Sequence, residues 1–519
     1  MIRKQGTHSN DFPEMSAYQK QKALVLQYYE QLEEANVESV EEVISKFNST
    51  ELYWYGVYPL NEQHGVPAVT KTFWKPFLKS WSNVRRRQDI FLAGTNEIDH
   101  TDWVISMGHF MGYMDKSWLG LPANNRILFL RYAEFNCIQD GMITRSSFFC
   151  DLIGLMQQMN INVLPLQTGT SFICPGPRTH DGLLFESHDP EESARTLKLV
   201  NRMIDDLDKI NKSGEDCPPA EFLEETWHED MIWYGPAGIG ASYTISRYQE
   251  QHQYPFRKGL KDKIFNGHIC RLAEGNYAGF FGWPNLTNTN VGGFMGLPAS
   301  GVRADMRVVD IYRRQGEKLA ENWVIIDLPW WLKQQGLDVF ERIKRILTAI
   351  PVLIGISLIA FTIIFFSMVV LFRSKRLALL SILPNVLPLM VAGAMMGYLG
   401  IKLRPSTAMT FSIALGIAVD DTIHFLSRFR QEFRIYKDYG RAISRTLLTT
   451  GKAIINTTII LGLGFFVFSF SRFVPNHEFG ILATIILFVA LAGSMVLLPV
   501  LIKFIQPSIR FKQEMKREI

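Results

Sequence analysis

Gly416-Ile-Ala-Val-Asp-Asp-Thr-Ile-His-Phe425 is the stretch on which the reading of this chain turns. Two adjacent carboxylates, Asp420 and Asp421, sit in a run that is otherwise mostly apolar from Ser406 to Leu426. Only about fourteen residues of that run precede Asp420, and at ~1.5 Å rise each they cannot cross a ~30 Å hydrocarbon core. In a spanning helix the two aspartates therefore lie within the membrane, where ionisable groups are costly and by default functional. His424 follows Asp420 by four residues and Asp421 by three, which places it on the same helical face. A helix that ended early would instead leave the pair wetted at the membrane surface.

Outward from this stretch, the composition of the 519-residue chain is split. Residues 1 to about 345 are mixed in charge and rich in Trp and Tyr, as in soluble globular domains, and residues 346–505 are dominated by Leu, Ile, Phe, Val, Ala and Gly. A net charge of +4 with no basic stripe argues against a nucleic-acid partner. The five cysteines, Cys137, Cys150, Cys174, Cys217 and Cys270, are odd in number and form no C-x-x-C, so reduced thiols are expected. The segment Met1-Ile-Arg-Lys-Gln-Gly-Thr-His-Ser-Asn10 has no apolar core, and no signal peptide is expected from it.

The first 340 residues contain a repeat. Trp54-Tyr-Gly56 recurs as Trp233-Tyr-Gly235, and Gly120-Leu-Pro-Ala123 as Gly296-Leu-Pro-Ala299. The second shift also pairs Arg131 with Arg307, Glu134 with Asp310, Asp151 with Asp327 and Gln158 with Gln334. The copies are expected at 17–165 and 194–340, joined by a Gly/Pro/Ser/Thr-rich linker at 166–193. Each copy opens with an amphipathic helix and a second short helix. An aromatic strand with the Trp-Tyr-Gly follows, then a polar helix, consecutive strands and a short last helix. That order predicts an α+β fold with helices on one face of a curved antiparallel sheet.

With these motifs each copy resembles the SnoaL-like, polyketide-cyclase branch of the nuclear-transport-factor-2-like cone fold. The second copy is the better match through Trp233-Tyr-Gly-Pro-Ala-Gly-Ile-Gly240, Gly282-Trp-Pro284 and Glu321-Asn-Trp-Val-Ile-Ile-Asp-Leu328. The resemblance implies a cone holding a mostly apolar pocket, in which some relatives use an acid/base pair for aldol-type cyclisation, dehydration or isomerisation and others only bind. The expected acid/base residues are Asp327 and Asp310 in the second copy and Asp151 and Glu134 in the first. Apolar walls would raise the pKa of one carboxyl beside another. Asp151 and Asp327 also fit as N-caps of the last helix, and the two roles are compatible. Trp54, Tyr55, Trp233, Tyr234, Trp283 and Trp323 are expected either to line the pockets or to pack as ordinary core. His109 and His268 are expected to be structural. No metal-ligand spacing occurs, and neither a metal nor another cofactor is expected.

Five apolar stretches follow Arg342, Lys344 and Arg345, at 350–372, 377–401, 406–426, 453–470 and 479–504, each near the ~20 residues of a spanning helix. Arg373-Ser-Lys-Arg-Leu-Ala-Leu-Leu380, Leu383-Pro-Asn-Val-Leu-Pro388, Gly416 to His424 and Thr446-Leu-Leu-Thr-Thr-Gly451 resemble the resistance–nodulation–division transporters, nearest the MMPL-type exporters. The resemblance covers the last five helices of one six-helix half and implies that Asp420 and Asp421 form a proton relay. The first helix of that half, a large porter domain and a second half are not seen, and the tandem cones stand where they would be. Basic clusters at 373–376, 428–445 and from Lys503 place a basic tail, 506–519, in the cytoplasm, whereas Arg342, Lys344 and Arg345 favour a cytoplasmic start. An odd number of spans cannot satisfy both.

The expected architecture is a twice-repeated α+β cone (curved antiparallel sheet with helices) followed by an all-α transmembrane bundle of five spans, at 346–505, multi-pass in the cell (inner) membrane. The expected partners are membrane lipid, a small hydrophobic ligand, and either further copies of the chain or a partner transporter half. Three functions stay open: cones that bind or transform a small hydrophobic molecule, a proton-coupled exporter subunit, and a non-enzymatic lipid-binding protein.

Overall fold

On the first strand of each copy, successive side chains alternate between the inside of a curved sheet and its outer face. Trp54 and Trp233 therefore point inward and Tyr55 and Tyr234 outward. The glycine of the motif follows from the tryptophan. A Cβ on Gly56 would come within 2.1 Å of the Trp54 ring, and one on Gly235 within 2.1 Å of the Trp233 ring. The computed structural model describes residues 18–170, 174–372, 374–399, 405–471 and 474–507. It divides into two compact units, Met1–Thr348 and Ala349–Ile519.

In the first unit, cone 1 is built from helices α1 (Gln19–Glu34) and α2 (Val40–Phe47), strands β1 (Asn48–Gly56) and β2 (Gln63–His64), and a helical segment at 66–80. Strands β3 (Trp81–Thr95), β4 (Asp102–Met114), β5 (Ile127–Gln139) and β6 (Met142–Cys150) and helix α3 (Leu152–Gln158) complete it. Cone 2 repeats the plan with α4 (Pro190–Ser213), β7 (Trp227–Tyr234), β8 (Ala241–Tyr243), a helical segment at 245–259, β9 (Leu260–Phe265), β10 (Cys270–Glu274), β11 (Tyr277–Asn290), β12 (Arg303–Gln315), β13 (Lys318–Ile326) and α5 (Leu328–Gln334). The sheet orders are β2-β1-β6-β5-β4-β3 and β10-β11-β12-β13-β7-β8, with β9 on β11.

Neither sheet is wholly antiparallel. Strand β1 runs parallel to β6, and β7 parallel to β13. The hairpin-linked strands are antiparallel of necessity, but β1 and β7, besides pairing with the short strands that follow them, join the last strand of their copy in parallel.

The two cones pack on each other through the outer faces of their sheets. Phe281 is a hub, with ring centroids 5.1 Å from Phe135, 5.7 Å from Tyr55, 5.9 Å from Trp103 and 6.0 Å from Phe149. Lys22, 1% exposed, reaches Glu274 of cone 2 at 2.5 Å, and Glu274 also accepts from Ala93 N at 2.7 Å. A lysine so buried is tolerable only because it is paired and hydrogen-bonded.

The second unit is helical. Its helices are the membrane-side part of α6 (Val339–Phe372), then α7 (Lys375–Leu399), α8 (Pro405–Tyr436), α9 (Tyr439–Thr446), α10 (Lys452–Val467), α11 (Val474–Ala492) and α12 (Leu498–Ile505). Among the described residues three helical stretches are long and apolar enough to cross a membrane, Lys375–Tyr398, Tyr439–Phe470 and Asn476–Ile505, with a shorter apolar helix at Thr362–Phe372. The expected stretches at 350–372 and 406–426 are helical but do not reach that standard among the described residues. The unit's surface is apolar: Val370, Tyr398, Ile460, Phe470 and Phe504 are 70–90% exposed. An apolar surface of that extent is suited to lipid, not water.

Candidate functional site

Cone 2 is open. A cavity of about 200 Å³ lies inside it, walled by Met203, Leu223, Trp227, Trp233, Phe256, Phe280 and Val324, with His252, His268, Asn285, Asp310, Tyr312 and Asn322 among its polar groups, and Asp208, Asn211, Tyr248, Gln253 and Arg257 also in its lining. This is the usual make-up of a small-molecule site, apolar walls with a few convergent polar atoms.

Asp310 is the centre of it. On β12 it stands directly across from Phe280 of β11 and Val324 of β13. Tyr312 Oη donates to its Oδ1 at 3.1 Å and Asn322 Nδ2 at 3.2 Å, and among the described residues its Oδ2 has no protein partner. Burial pushes the Asp310 carboxyl up to about 7, against the lowering effect of those two hydrogen bonds. A carboxyl there exchanges its proton near neutrality.

Two imidazoles face the same space. His252 lies flat on Trp233, with centroids 4.2 Å apart, and His268 on Phe280 at 3.9 Å. Burial holds both well below the usual histidine range, at about 3, so each is neutral at physiological pH. The Nδ1 atoms of both, and Oδ1 of Asn285, are buried without a hydrogen-bond partner. Polar atoms left this way inside a protein call for a ligand, a water or a chemical role.

The inner space of cone 1 is filled: between Trp54, Phe73, Phe148 and Glu134 about 10 Å³ remains, room for one water at most. A separate hollow of about 290 Å³ in this cone is lined by Tyr29, Glu33, Trp74, Trp81, Arg86 and Phe110 and does not include Glu134. Glu134, which aligns with Asp310, is bound by Arg86 at 2.6 Å, both being buried. The Arg86 guanidinium lies 3.6 Å from the Tyr29 ring centroid. Phe73 occupies the position that His252 holds in cone 2, packed on Phe77 and Phe148.

The two remaining expected carboxylates lie outside the cone cavities. Asp151 and Asp327 are N-caps, accepting from Gly154 N at 2.8 Å and Trp330 N at 3.2 Å. Their second oxygens cross the cone–cone boundary, Asp151 accepting from Ala237 N and Asp327 from Tyr58 N, each at 2.9 Å. Asp327 and Asp310 are thus not brought into one cavity. Of the six aromatics, Trp233 lines the open cavity and Trp54 the filled one. Tyr55 and Trp283 pack together between the cones at 5.4 Å, and Tyr234 stacks on Trp323 at 5.2 Å. His252, Asn285, Tyr312 and Asn322 were not anticipated. His252 sits in Gln249-Glu-Gln-His-Gln253, which looks like a solvated helical face until the cone closes over it.

In the helical unit, α8 continues sixteen residues past Asp420, to Tyr436, so the helix does not end at the acidic pair. Asp421 is 7% exposed and its Oδ2 has no hydrogen-bond partner, whereas the Asp420 side chain is exposed and lies 3.5 Å from His424 Nε2. The next residue, Thr422, donates to Asn385 of α7 at 2.8 Å, both buried. The polar seam thus runs between α7 and α8.

Residues 352–518 match the model of the MMPL family. A membrane protein of Methanocaldococcus jannaschii is 29% identical over 129 residues, 25% of this chain. The chain spans 31% of the length of that relative. The MMPL match and the apolar helices make this a multi-pass membrane protein. Among solved structures, a SnoaL-like polyketide-cyclase-type protein from Jannaschia sp. CCS1 is similar at 12% identity over 29% of this chain and 97% of its own, with a TM-score of 0.23. An NTF2-like protein from Burkholderia xenovorans is similar at 10% identity over 28% and 97%, with a TM-score of 0.22. The acidic pair and the neighbouring Thr422–Asn385 hydrogen bond thus lie in the MMPL-matched part, and the Asp310 cavity lies outside it.

Proposed function

We propose that cone 2 binds a small hydrophobic carbonyl compound, of polyketide or steroid type, and moves a proton on it, tethered to the membrane by the MMPL module. The observation that carries this reading is Asp310, a buried carboxyl titrating near 7 in an apolar cavity with one oxygen unbonded. As carboxylate it takes a proton from the carbon next to the carbonyl. Tyr312 and Asn322 hold it in place, and the N–H of neutral His252 or His268 donates a hydrogen bond to the substrate oxygen. The apolar walls, Met203, Leu223, Trp227 and Val324 among them, hold a hydrophobic substrate and keep water out. Cyclisation, dehydration and isomerisation all begin with this step. Proton transfer by a positioned base is worth about 10²–10⁴-fold.

The test is exchange of the α-protons of a hydrophobic ketone for solvent deuterium, catalysed by the full chain in detergent. Asp310→Asn should lower exchange by about 10²-fold or more while leaving ketone binding within a few-fold. Equal exchange in variant and parent removes the assignment.

A second reading, a proton-coupled exporter subunit of five spans working with a partner half, is favoured by Asp421, buried in α8 with an unbonded oxygen. It predicts that Asp420→Asn with Asp421→Asn stops proton-linked efflux from vesicles. Efflux equal to the parent's rejects it.

A further inference from the structure

The contacts between the two cones follow a pseudo-twofold, and beside the cap aspartates that correspondence breaks. The cap bonds match copy for copy, Asp327 with Tyr58 N and Asp151 with Ala237 N. Beside each cap stands an arginine of the neighbouring strand. In one half Arg307 is satisfied: Asp327 lies at 3.4 Å, Glu62 at 3.6 Å, and Trp283 and Trp330 flank its guanidinium at 4.1 and 4.5 Å. In the other half the residue equivalent to Glu62 is Ala241, because β8 pairs Ser242 with Trp233 as β2 pairs Gln63 with Trp54. Where the glutamate is missing, a cavity of about 220 Å³ opens, lined among others by His109, Arg131, Asp151, Cys174 and Ala241.

Its polar atoms lack an acceptor. Arg131 and His109 stand directly opposite each other on β5 and β4 and are 5% and 4% exposed. Arg131 donates from Nη1 to Gly235 O at 3.3 Å and from Nη2 to Tyr234 O at 3.2 Å, but its buried Nε has no partner. His109 Nδ1 faces Asp89 Oδ2 at 3.2 Å, and its buried Nε2 has no partner. The carboxylates nearby are already used. Asp151 accepts from Gly154 N and Ala237 N, and Asp89 is held by His109 and by Arg87 at 3.5 Å.

We propose that this cavity between the cones is a second ligand site, which takes a small carboxylate. The ligand's carboxylate stands where Glu62 stands in the other half, one oxygen accepting from Arg131 Nε–H and the other from His109 Nε2–H, the ring binding the ligand with a proton on both nitrogens and its Nδ1–H given to Asp89. This site is independent of Asp310 and of the reaction proposed for cone 2.

Cys174 lines the same cavity and Cys217 is exposed elsewhere, so the thiols serve as reporter and internal reference. The full chain in detergent is treated in parallel with iodoacetate, which carries a carboxylate, and with neutral iodoacetamide, and alkylation of each cysteine is followed by mass spectrometry. The iodoacetate-to-iodoacetamide rate ratio at Cys174 should exceed that at Cys217 several-fold. Millimolar acetate should remove the difference, and so should Ala241→Glu, which supplies the missing carboxylate from the chain. Arg131→Gln should act likewise, and if it fails to fold, Ala241→Glu decides, since it removes no existing hydrogen bond. A ratio at Cys174 equal to or below that at Cys217, a ratio unmoved by Ala241→Glu, or no reaction of Cys174 with either reagent overturns the proposal. In the last case the cavity admits water only.

Discussion

Asp310 concentrates a cost as well as a function. Its ordinary pKa is near 3.8 and its folded value about 7, so the unfolded chain releases this proton earlier than the native one. The stability it contributes is present below about pH 4 and is lost as pH rises through about 7. Asp310→Asn should therefore raise the unfolding temperature by several degrees at pH 8 and leave it unchanged at pH 4, a gain on the order of a few kcal/mol. A variant that is both inactive and more stable marks a group kept for chemistry. His252 and His268 act with the opposite sign: held at about 3, they destabilise the fold as pH falls below the usual histidine value of 6.5. The Arg86–Glu134 pair is structural by comparison. Arg86→Leu leaves Glu134 buried and uncompensated and should cost about 3–5 kcal/mol in denaturant titration, whereas Arg86→Leu with Glu134→Leu together should cost far less. That Glu134 aligns with Asp310 is legible in the sequence. That an arginine five residues into the next strand but one neutralises it is not, because the contact depends on how far β3 curls over the cone.

The elements themselves follow closely from pattern. Alternation on β1 and β7, helical spacing on α1 and α4, and Asp before a short last helix were all readable, and Asp151 and Asp327 do cap α3 and α5. Their placement between the cones was not readable, since it requires two copies docked outer face to outer face, and a single strand pattern cannot tell an outer face from a second interior. Because each aspartate joins a cap to an inter-cone bond, Asp327→Ala should lose about 2–4 kcal/mol of stability, seen as a lower denaturant midpoint. A loss below about 1 kcal/mol would show the boundary bond to be idle. The parallel pairings β1/β6 and β7/β13 were missed for the same reason: they join residues about ninety apart, and strand order is not written in local periodicity.

At the scale of the whole molecule, the chain joins a duplicated cone to a helical unit that matches the MMPL family model over residues 352–518. The two copies differ inside: in one the space beside Glu134 is closed by Phe73 and a buried ion pair, and in the other a cavity opens beside Asp310. Composition alone separated the membrane and soluble parts, and the Trp-Tyr-Gly repeat separated the cones. Which cone is open depended on side-chain volumes summed across several elements, beyond what aligned motifs convey. The measurement that tests this difference most directly is the pH–rate profile of ketone α-proton exchange by the full chain. Exchange should rise as pH passes through about 7, as Asp310 loses its proton, should fall about 10²-fold or more in Asp310→Asn, and should be unaffected by Asp420→Asn with Asp421→Asn. A flat profile, or exchange in Asp310→Asn equal to the parent's, would contradict the account.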